Sequence, residues 1–224
     1  MKKILNIFMV LFISFASGCQ GNLRGSDVTA DYARDYLIIV NDQNPYDFNG
    51  EYAANLQDDL ARTYQADSGD DELLEYKTLE YFHQLKIAAR KQGIEIGLIS
   101  GYRTKENQQW LYDNYKLTPQ VKPGYSEHHT GLNISIAING YLPNGEGPYW
   151  LSEGDKIPEN AELTKLLPDY GFIRRYPAGK EDLTGHDAAP YEIRFVGSPE
   201  IAHTIMDNGL CLEEYVSKHS HAYE

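Results

Sequence analysis

Apolar and polar positions alternate along the chain with two different periods. From Asp71 to Gln92 the apolar residues Leu74, Leu79, Phe82, Leu85 and Ala89 recur at helical spacing, and Gly93 offers a C-cap, so the segment predicts a helix. Lys105–Tyr115 and Glu159–Leu167 predict two more. Ser198-Pro199-Glu200 predicts a helix start, with Ser198 as N-cap and proline in the first turn. Strands are expected where the period drops to two or the run is short and apolar. These are Leu37–Val40, Ile94–Ile99, a half-buried strand carrying Ile134, Ile136 and Ile138, and Ile193–Val196. Helices followed by strands separated by long loops predict an α+β fold, a small antiparallel sheet with flanking helices.

The N-terminus departs from both periods. Lys2 and Lys3 precede an apolar run from Ile4 to Phe15, then Ala16, Ser17, Gly18 and Cys19. A basic start, a short apolar stretch and small residues form an export signal over residues 1–18, too short for a comfortable membrane span. Ala-Ser-Gly-Cys resembles a bacterial lipobox, in which Cys19 is lipidated and becomes the mature N-terminus; the alternative is an ordinary signal peptide cleaved nearby. Residues 19–35 read as a tether, and residues 36–224 as a single domain. The chain is thereby expected outside the cytoplasm, on the outer face of the membrane as a lipoprotein, or in the cell wall.

Composition narrows the function classes. The 224 residues carry 33 Asp and Glu against 20 Lys and Arg, a formal net charge of -13, which argues against nucleic-acid binding. It also argues against electrostatic attachment to anionic lipid, so membrane attachment is expected through a lipid anchor only. Two cysteines supply neither a disulfide framework nor a Cys-rich zinc site. Cys211 reads as a buried lone thiol near a helix start. The 18 tyrosines suit core edges and clefts for polar ligands; packing is the expectation for Tyr102, Tyr112 and Tyr176. His83 and His203 read as helix-packing residues, and His219 and His221 as a solvated end.

Three ordered segments carry the chemistry. Ser100-Gly101-Tyr102-Arg103 leaves a strand and is followed by Gln108, Leu111 and Tyr112. Pro123-Gly124-Tyr125-Ser126-Glu127-His128-His129-Thr130-Gly131-Leu132 comes next. Tyr170-Gly171-Phe172-Ile173-Arg174-Arg175-Tyr176-Pro177 then leads to Pro190-Tyr191-Glu192-Ile193-Arg194-Phe195-Val196-Gly197. From about Leu37 to Gly209 this set resembles the VanY-type D-alanyl-D-alanine carboxypeptidases and their LD-carboxypeptidase relatives, zinc enzymes that trim peptidoglycan stem peptides. The resemblance implies their D-Ala-D-Ala carboxypeptidase-like fold.

The resemblance also assigns positions. Family members draw a His and an Asp ligand from Ser-x-His-x-x-Gly-x-Ala-x-Asp, and a second His ligand and the general-base Glu from Glu-Pro-Trp-His. Here His128 matches the first ligand, while Ser135 stands at the Asp position and Asn133 at the small Ala. Ala189 stands at the general base, Tyr191 at Trp, and Glu192 at the second His. Catalytic zinc needs three protein ligands and a separate base. His128 and Glu192 are the candidate metal residues, and no intact general base is expected. A rewired site would have to recruit His129, His186 or Asp187. His129 adjoins His128 and is expected to point the other way. On the substrate side Arg103, Gln108 and Ser126 match the family positions that hold the peptide's terminal carboxylate and backbone. Arginine suits that role because its planar fork grips a carboxylate bidentately.

Three functions follow as expectations. The first is an exported pseudopeptidase that binds stem peptides or a cell-wall protein, with zinc weak or absent. The second is an active D,D- or L,D-carboxypeptidase with altered zinc ligands. The third is a protein-interaction module that does not use the cleft.

Overall fold

The computed structural model describes residues 35–63, 72–114, 120–140 and 158–219. The export signal, Cys19, nearly all of the tether and His221 lie outside these residues. The described elements are α1 (Glu51–Asp59), β1 (Leu60–Arg62), β2 (Leu73–Glu75), α2 (Tyr76–Lys91), β3 (Ile96–Ser100), α3 (Lys105–Asn114), a 3-10 turn (Glu127–Thr130) and β4 (Asn133–Ile138). They continue with α4 (Pro158–Leu166), β5 (Phe172–Tyr176), α5 (Glu181–Thr184), β6 (Ala189–Phe195), α6 (Pro199–Asp207) and α7 (Leu212–His219). Four strands form an antiparallel sheet in the order β3-β4-β6-β5, and β1 and β2 form a separate antiparallel pair. The expected α+β class with a small antiparallel sheet is the one observed.

The helical stripe of α2 packs on one sheet face. Leu79, Phe82, Leu85 and Ala89 meet Ile134, Ile136 and Ile138 of β4 and Phe172 and Phe195 of the neighbouring strands. Each large side chain removed from water there stabilises the fold by roughly 1.5–3 kcal/mol. α2 begins at Tyr76, later than its apolar pattern predicts, because Leu73–Glu75 pair with β1 and the Glu75 carboxylate then caps the helix by accepting from the Thr78 N–H at 2.7 Å. At α6 the expected cap is present: Ser198 Oγ accepts from the Ile201 N–H, with Pro199 at the first helical position.

Two strand expectations are corrected. Leu37–Val40 leaves a turn at Tyr36–Leu37 and joins no sheet. Its backbone polar groups meet side chains instead: Arg194 donates to the Tyr36 and Ile38 carbonyls, and the Val40 N–H donates to Glu127. Its alternating residues still bury, Leu37 and Ile39 toward α6 and α7, Ile38 and Val40 toward α1. Strand β4 is not half-buried; all six of its residues are buried. The isoleucines face α2, while Asn133 and Ser135 form the polar floor of a cleft rather than a solvent face.

His83 is exposed on α2 rather than packed. His203 bridges Asp169 and Asp207, whose hydrogen bonds raise its pKa. Cys211 is buried immediately before α7, as expected.

Candidate functional site

The cleft is built where β3 ends, the 3-10 turn begins, and β4 pairs with β6. Gly101 is the hinge of this arrangement. Its N–H donates to Glu72, and a Cβ at this position would lie 2.4 Å from the Leu73 carbonyl oxygen, so only glycine fits. Its carbonyl, in turn, accepts from His128 Nδ1 at 2.7 Å. A carbonyl can only accept, so Nδ1 carries a hydrogen and Nε2 turns into the cleft. Ser126 caps the turn through the His128 N–H, and the His128 carbonyl accepts from the Arg103 N–H at 3.1 Å. The second and first sequence motifs are thus tied backbone to backbone.

The β4–β6 ladder sets Ser135 directly opposite Glu192. Across a strand pair, facing side chains are within reach of each other. Ser135 Oγ donates to Glu192 Oε1 at 2.6 Å, and Asn133 Nδ2 donates to Glu192 Oε2 at 2.6 Å. His128 Nε2 lies 3.3 Å from both Asn133 Nδ2 and Ser135 Oγ, and 3.6 Å from Glu192 Oε2. The fold therefore brings together His128, Ser135, Glu192 and Asn133. Burial works against the Glu192 charge, but His128, the Ser135 hydroxyl and the Arg103 guanidinium outweigh it and hold the carboxyl below its usual range.

Arg103 stands at the side of this cluster. Its Nε donates to Ser100 Oγ at 3.0 Å and one terminal nitrogen to Gln108 Oε1 at 3.2 Å. Burial lowers its pKa, opposed chiefly by the charge of Glu192. Gln108 is wholly buried and its amide nitrogen donates to the Val121 carbonyl, so both ends of the amide are engaged in aiming Arg103. Tyr176 is close enough to couple electrostatically with Arg103 and Glu192, and burial pushes its phenol up.

The replacement groups do not join the cluster. His129 Nε2 accepts from the Gly124 N–H and Nδ1 donates to the Arg103 carbonyl at 2.7 Å, while its ring packs against Phe48 and Tyr46. Both nitrogens are used, and burial lowers its pKa to about 4. It points away from the site, as expected, although the backbone here is a 3-10 turn and not a strand. His186 stacks on Tyr176 and faces the Asp187 carbonyl, and Asp187 is exposed. Ala189 is buried at the start of β6, opposite Tyr176, with no side chain able to take a proton.

One functional element escaped the sequence reading. Glu127, between Ser126 and His128, is buried and accepts from Arg175 Nε at 2.9 Å, Arg194 Nε at 3.1 Å and the Val40 N–H at 3.2 Å. Arg175 also grips Glu213 of α7. The facing carboxylates, led by Glu127, overcome the burial of Arg175 and raise its pKa. This network anchors the 3-10 turn to β5, β6 and α7. Its sequence signal is Arg175 and Arg194 within the buried strands β5 and β6, where a guanidinium needs a buried acid.

The zinc that the resemblance implies does not fit these residues. Of the three expected ligand positions only His128 presents an imidazole; Ser135 is a neutral hydroxyl, and both Glu192 oxygens already accept short hydrogen bonds. Among the described residues no group of three or more His, Cys, Asp or Glu side chains is arranged to hold a metal ion.

Comparison with known proteins places this geometry in context. Residues 71–198 match the family described as VanY, D-alanyl-D-alanine carboxypeptidase. The chain is 35% identical over 199 residues to a D-alanyl-D-alanine carboxypeptidase of Enterococcus faecalis (strain ATCC 700802 / V583), covering 81% of this chain and 65% of the relative. It is 32% identical over 136 residues to one of Enterococcus faecium, covering 60% of this chain and 41% of the relative. It thus spans less than two thirds of either relative's length. Among solved structures, VanYB in complex with D-alanine-D-alanine superposes with a TM-score of 0.61 at 32% identity, covering 81% of this chain and 97% of that one. The LdcB LD-carboxypeptidase superposes with a TM-score of 0.64 at 28% identity, covering 82% and 86%.

Proposed function

Because the chain belongs to the VanY family of D-alanyl-D-alanine carboxypeptidases, we propose that it keeps the family's peptide cleft and binds the C-terminal carboxylate of peptidoglycan stem peptides without hydrolysing them. The observation that carries this reading is the Ser135–Glu192–Asn133 hydrogen-bond cluster at the positions of the metal ligands, together with Ala189 at the position of the base. Arg103, aimed by Ser100 and Gln108, supplies the carboxylate grip. On this reading residues 1–18 serve as an export signal and Cys19 as a lipid anchor, so that the binder would meet stem peptides or a cell-wall protein partner outside the cytoplasm.

A second reading has one observation in its favour. The His128 Nδ1–H bond to the Gly101 carbonyl is the kind of support that orients a metal-binding imidazole, with Nε2 facing the Glu192 carboxylate. On that reading the protein is a zinc carboxypeptidase with altered ligands.

One set of measurements separates the two. Calorimetry with a peptide ending in D-Ala-D-Ala is run beside metal analysis and an assay for released D-alanine. The first reading expects binding without release, weakened by about tenfold or more in Arg103→Ala, since a hydrogen bond to a charged group contributes about 1.5–3 kcal/mol. Release of D-alanine that tracks stoichiometric zinc establishes the second reading and ends the first.

A further inference from the structure

We propose that a second pocket, behind the peptide cleft and walled by α1 and the segment carrying Tyr46 and Phe48, binds an uncharged sugar ring. Such a site goes beyond the peptide-cleft reading and does not depend on it.

The pocket encloses about 360 Å³, within the range of about 300–1,000 Å³ that small-molecule sites occupy. Its lining shares no residue with the cleft cluster. Tyr46 and Phe48 form one side, their rings edge to face with centroids 5.0 Å apart. The ring of His129, which turns away from the cleft, packs against both of them, so the pocket lies behind the turn that carries His128. Tyr102 forms another wall. It directly precedes Arg103, yet it packs with Tyr52, Ala53 and Leu56 of α1, whereas Arg103 joins Ser100 and Gln108. On the helix side Ala53 and Ala54 present only methyl groups, which leaves the pocket open.

The chemistry of the lining selects the ligand. It offers rings and hydrogen-bonding groups but no formal charge, in a chain whose net charge is -13. The charges beside it are opposite in sign and engaged: Asp47 accepts from the Asn49 N–H at 2.9 Å, and Lys105 Nζ stands 5.5 Å from the centroid of the Phe48 ring. A charged ligand would lose water without gaining a counter-charge from the lining. The Tyr102 hydroxyl accepts from Gln57 Nε2 at 3.1 Å and keeps its own proton to donate, while the Gln57 carbonyl oxygen keeps its acceptor capacity. The exposed Asn49 carboxamide adds a donor and an acceptor at the rim. A wholly apolar ligand would cover these groups and strip them of water with nothing in return. A pyranose meets both demands, because its C–H face suits aromatic surface and the hydroxyls around its edge pair with amide and phenol groups. Two kinds of glycan share this chemistry, one built of N-acetylated amino sugars and one of plain hexoses.

Titration of the full chain with N,N′-diacetylchitobiose, cellobiose and indole, followed by ligand-observed NMR and calorimetry, tests the site. One of the disaccharides is expected to bind with a dissociation constant in the millimolar range or tighter, and the one that binds more tightly identifies the glycan. Ala54 is exposed on α1, and leucine is a good helix former, so Ala54→Leu should fold and fill the pocket. It should weaken disaccharide binding by at least about tenfold and leave the affinity for a peptide ending in D-Ala-D-Ala unchanged. Gln57→Ala, also at an exposed position, should weaken disaccharide binding by about threefold or more. Absence of disaccharide binding at millimolar concentration overturns the proposal, as does binding of indole alone. Disaccharide binding that is indifferent to both substitutions overturns it too, because the sugar then sits elsewhere. So does an equal loss of peptide and disaccharide binding in a folded Ala54→Leu, since one shared site would then serve both. If a disaccharide binds as expected and the peptide does not bind at all, the peptide-cleft reading falls and the sugar pocket stands.

Discussion

Ser135 donates its only hydroxyl proton to Glu192 across the β4–β6 ladder, at 2.6 Å, and the two residues are direct partners in strand register. The sheet that would gather metal ligands has therefore gathered a hydroxyl and a carboxylate that satisfy each other.

That pairing predicts the metal chemistry of variants. The unaltered protein should purify with far less than one equivalent of zinc. Replacing both members of the pair, Ser135→Asp with Glu192→His, restores the acid and imidazole donors around His128 and should raise zinc content toward stoichiometric by elemental analysis. Ala189→Glu added to that double variant is expected to give measurable D-alanine release, whereas Ala189→Glu alone is not.

Glu127 should matter for folding, because it is the shared acceptor of two buried arginines. Glu127→Ala leaves Arg175 and Arg194 buried with a lost partner and frees the Val40 N–H. Breaking such a buried network costs about 3–5 kcal/mol. Thermal unfolding should move down by roughly 10 °C for a chain of this size. A shift under a few degrees would show that Glu213 alone can neutralise Arg175.

Gly101→Ala should damage both stability and site geometry. The added methyl meets the Leu73 carbonyl oxygen at 2.4 Å, and backbone on that side is fixed by the Tyr102 N–H bond to the same carbonyl. The overpacking should cost about 1–3 kcal/mol in denaturant unfolding. Peptide affinity should fall as well, because the carbonyl that orients His128 must move.

His129 sets an acid limit. Its folded pKa of about 4 lies below the ordinary 6.5, because burial disfavours the charged ring. Between those values the unfolded chain binds a proton that the folded chain refuses. The residue's contribution to stability is complete above about pH 6.5 and is lost as pH falls toward 4, at up to about 1.4 kcal/mol per pH unit. Unfolding midpoints across that window, with the His129 imidazole resonance showing no titration until near pH 4, check the assignment.

Much of the framework was legible in the sequence because it depends on short-range patterns. The α2 stripe, the Ser198 cap and the β4 isoleucines follow from periodicity, and the three motifs carry the family resemblance. The residues at the ligand and base positions, Ser135, Glu192 and Ala189, were likewise visible as letters. What periodicity misread was Leu37–Val40, since an apolar run cannot say whether its backbone partners are a strand or the Arg194 and Glu127 side chains.

The sequence by itself determined the class of fold, the set of residues lining the cleft and the absence of a carboxylate at Ala189. Tertiary structure alone decided what those residues do to one another. Strand register makes Ser135 and Glu192 partners, the Gly101 carbonyl fixes the orientation of the His128 ring, and the β4 pleat turns Asn133 inward with an acceptor unfilled. These are contacts between residues up to 59 positions apart, and hydrogen bonds of that kind depend on distance and angle, which no order of letters records.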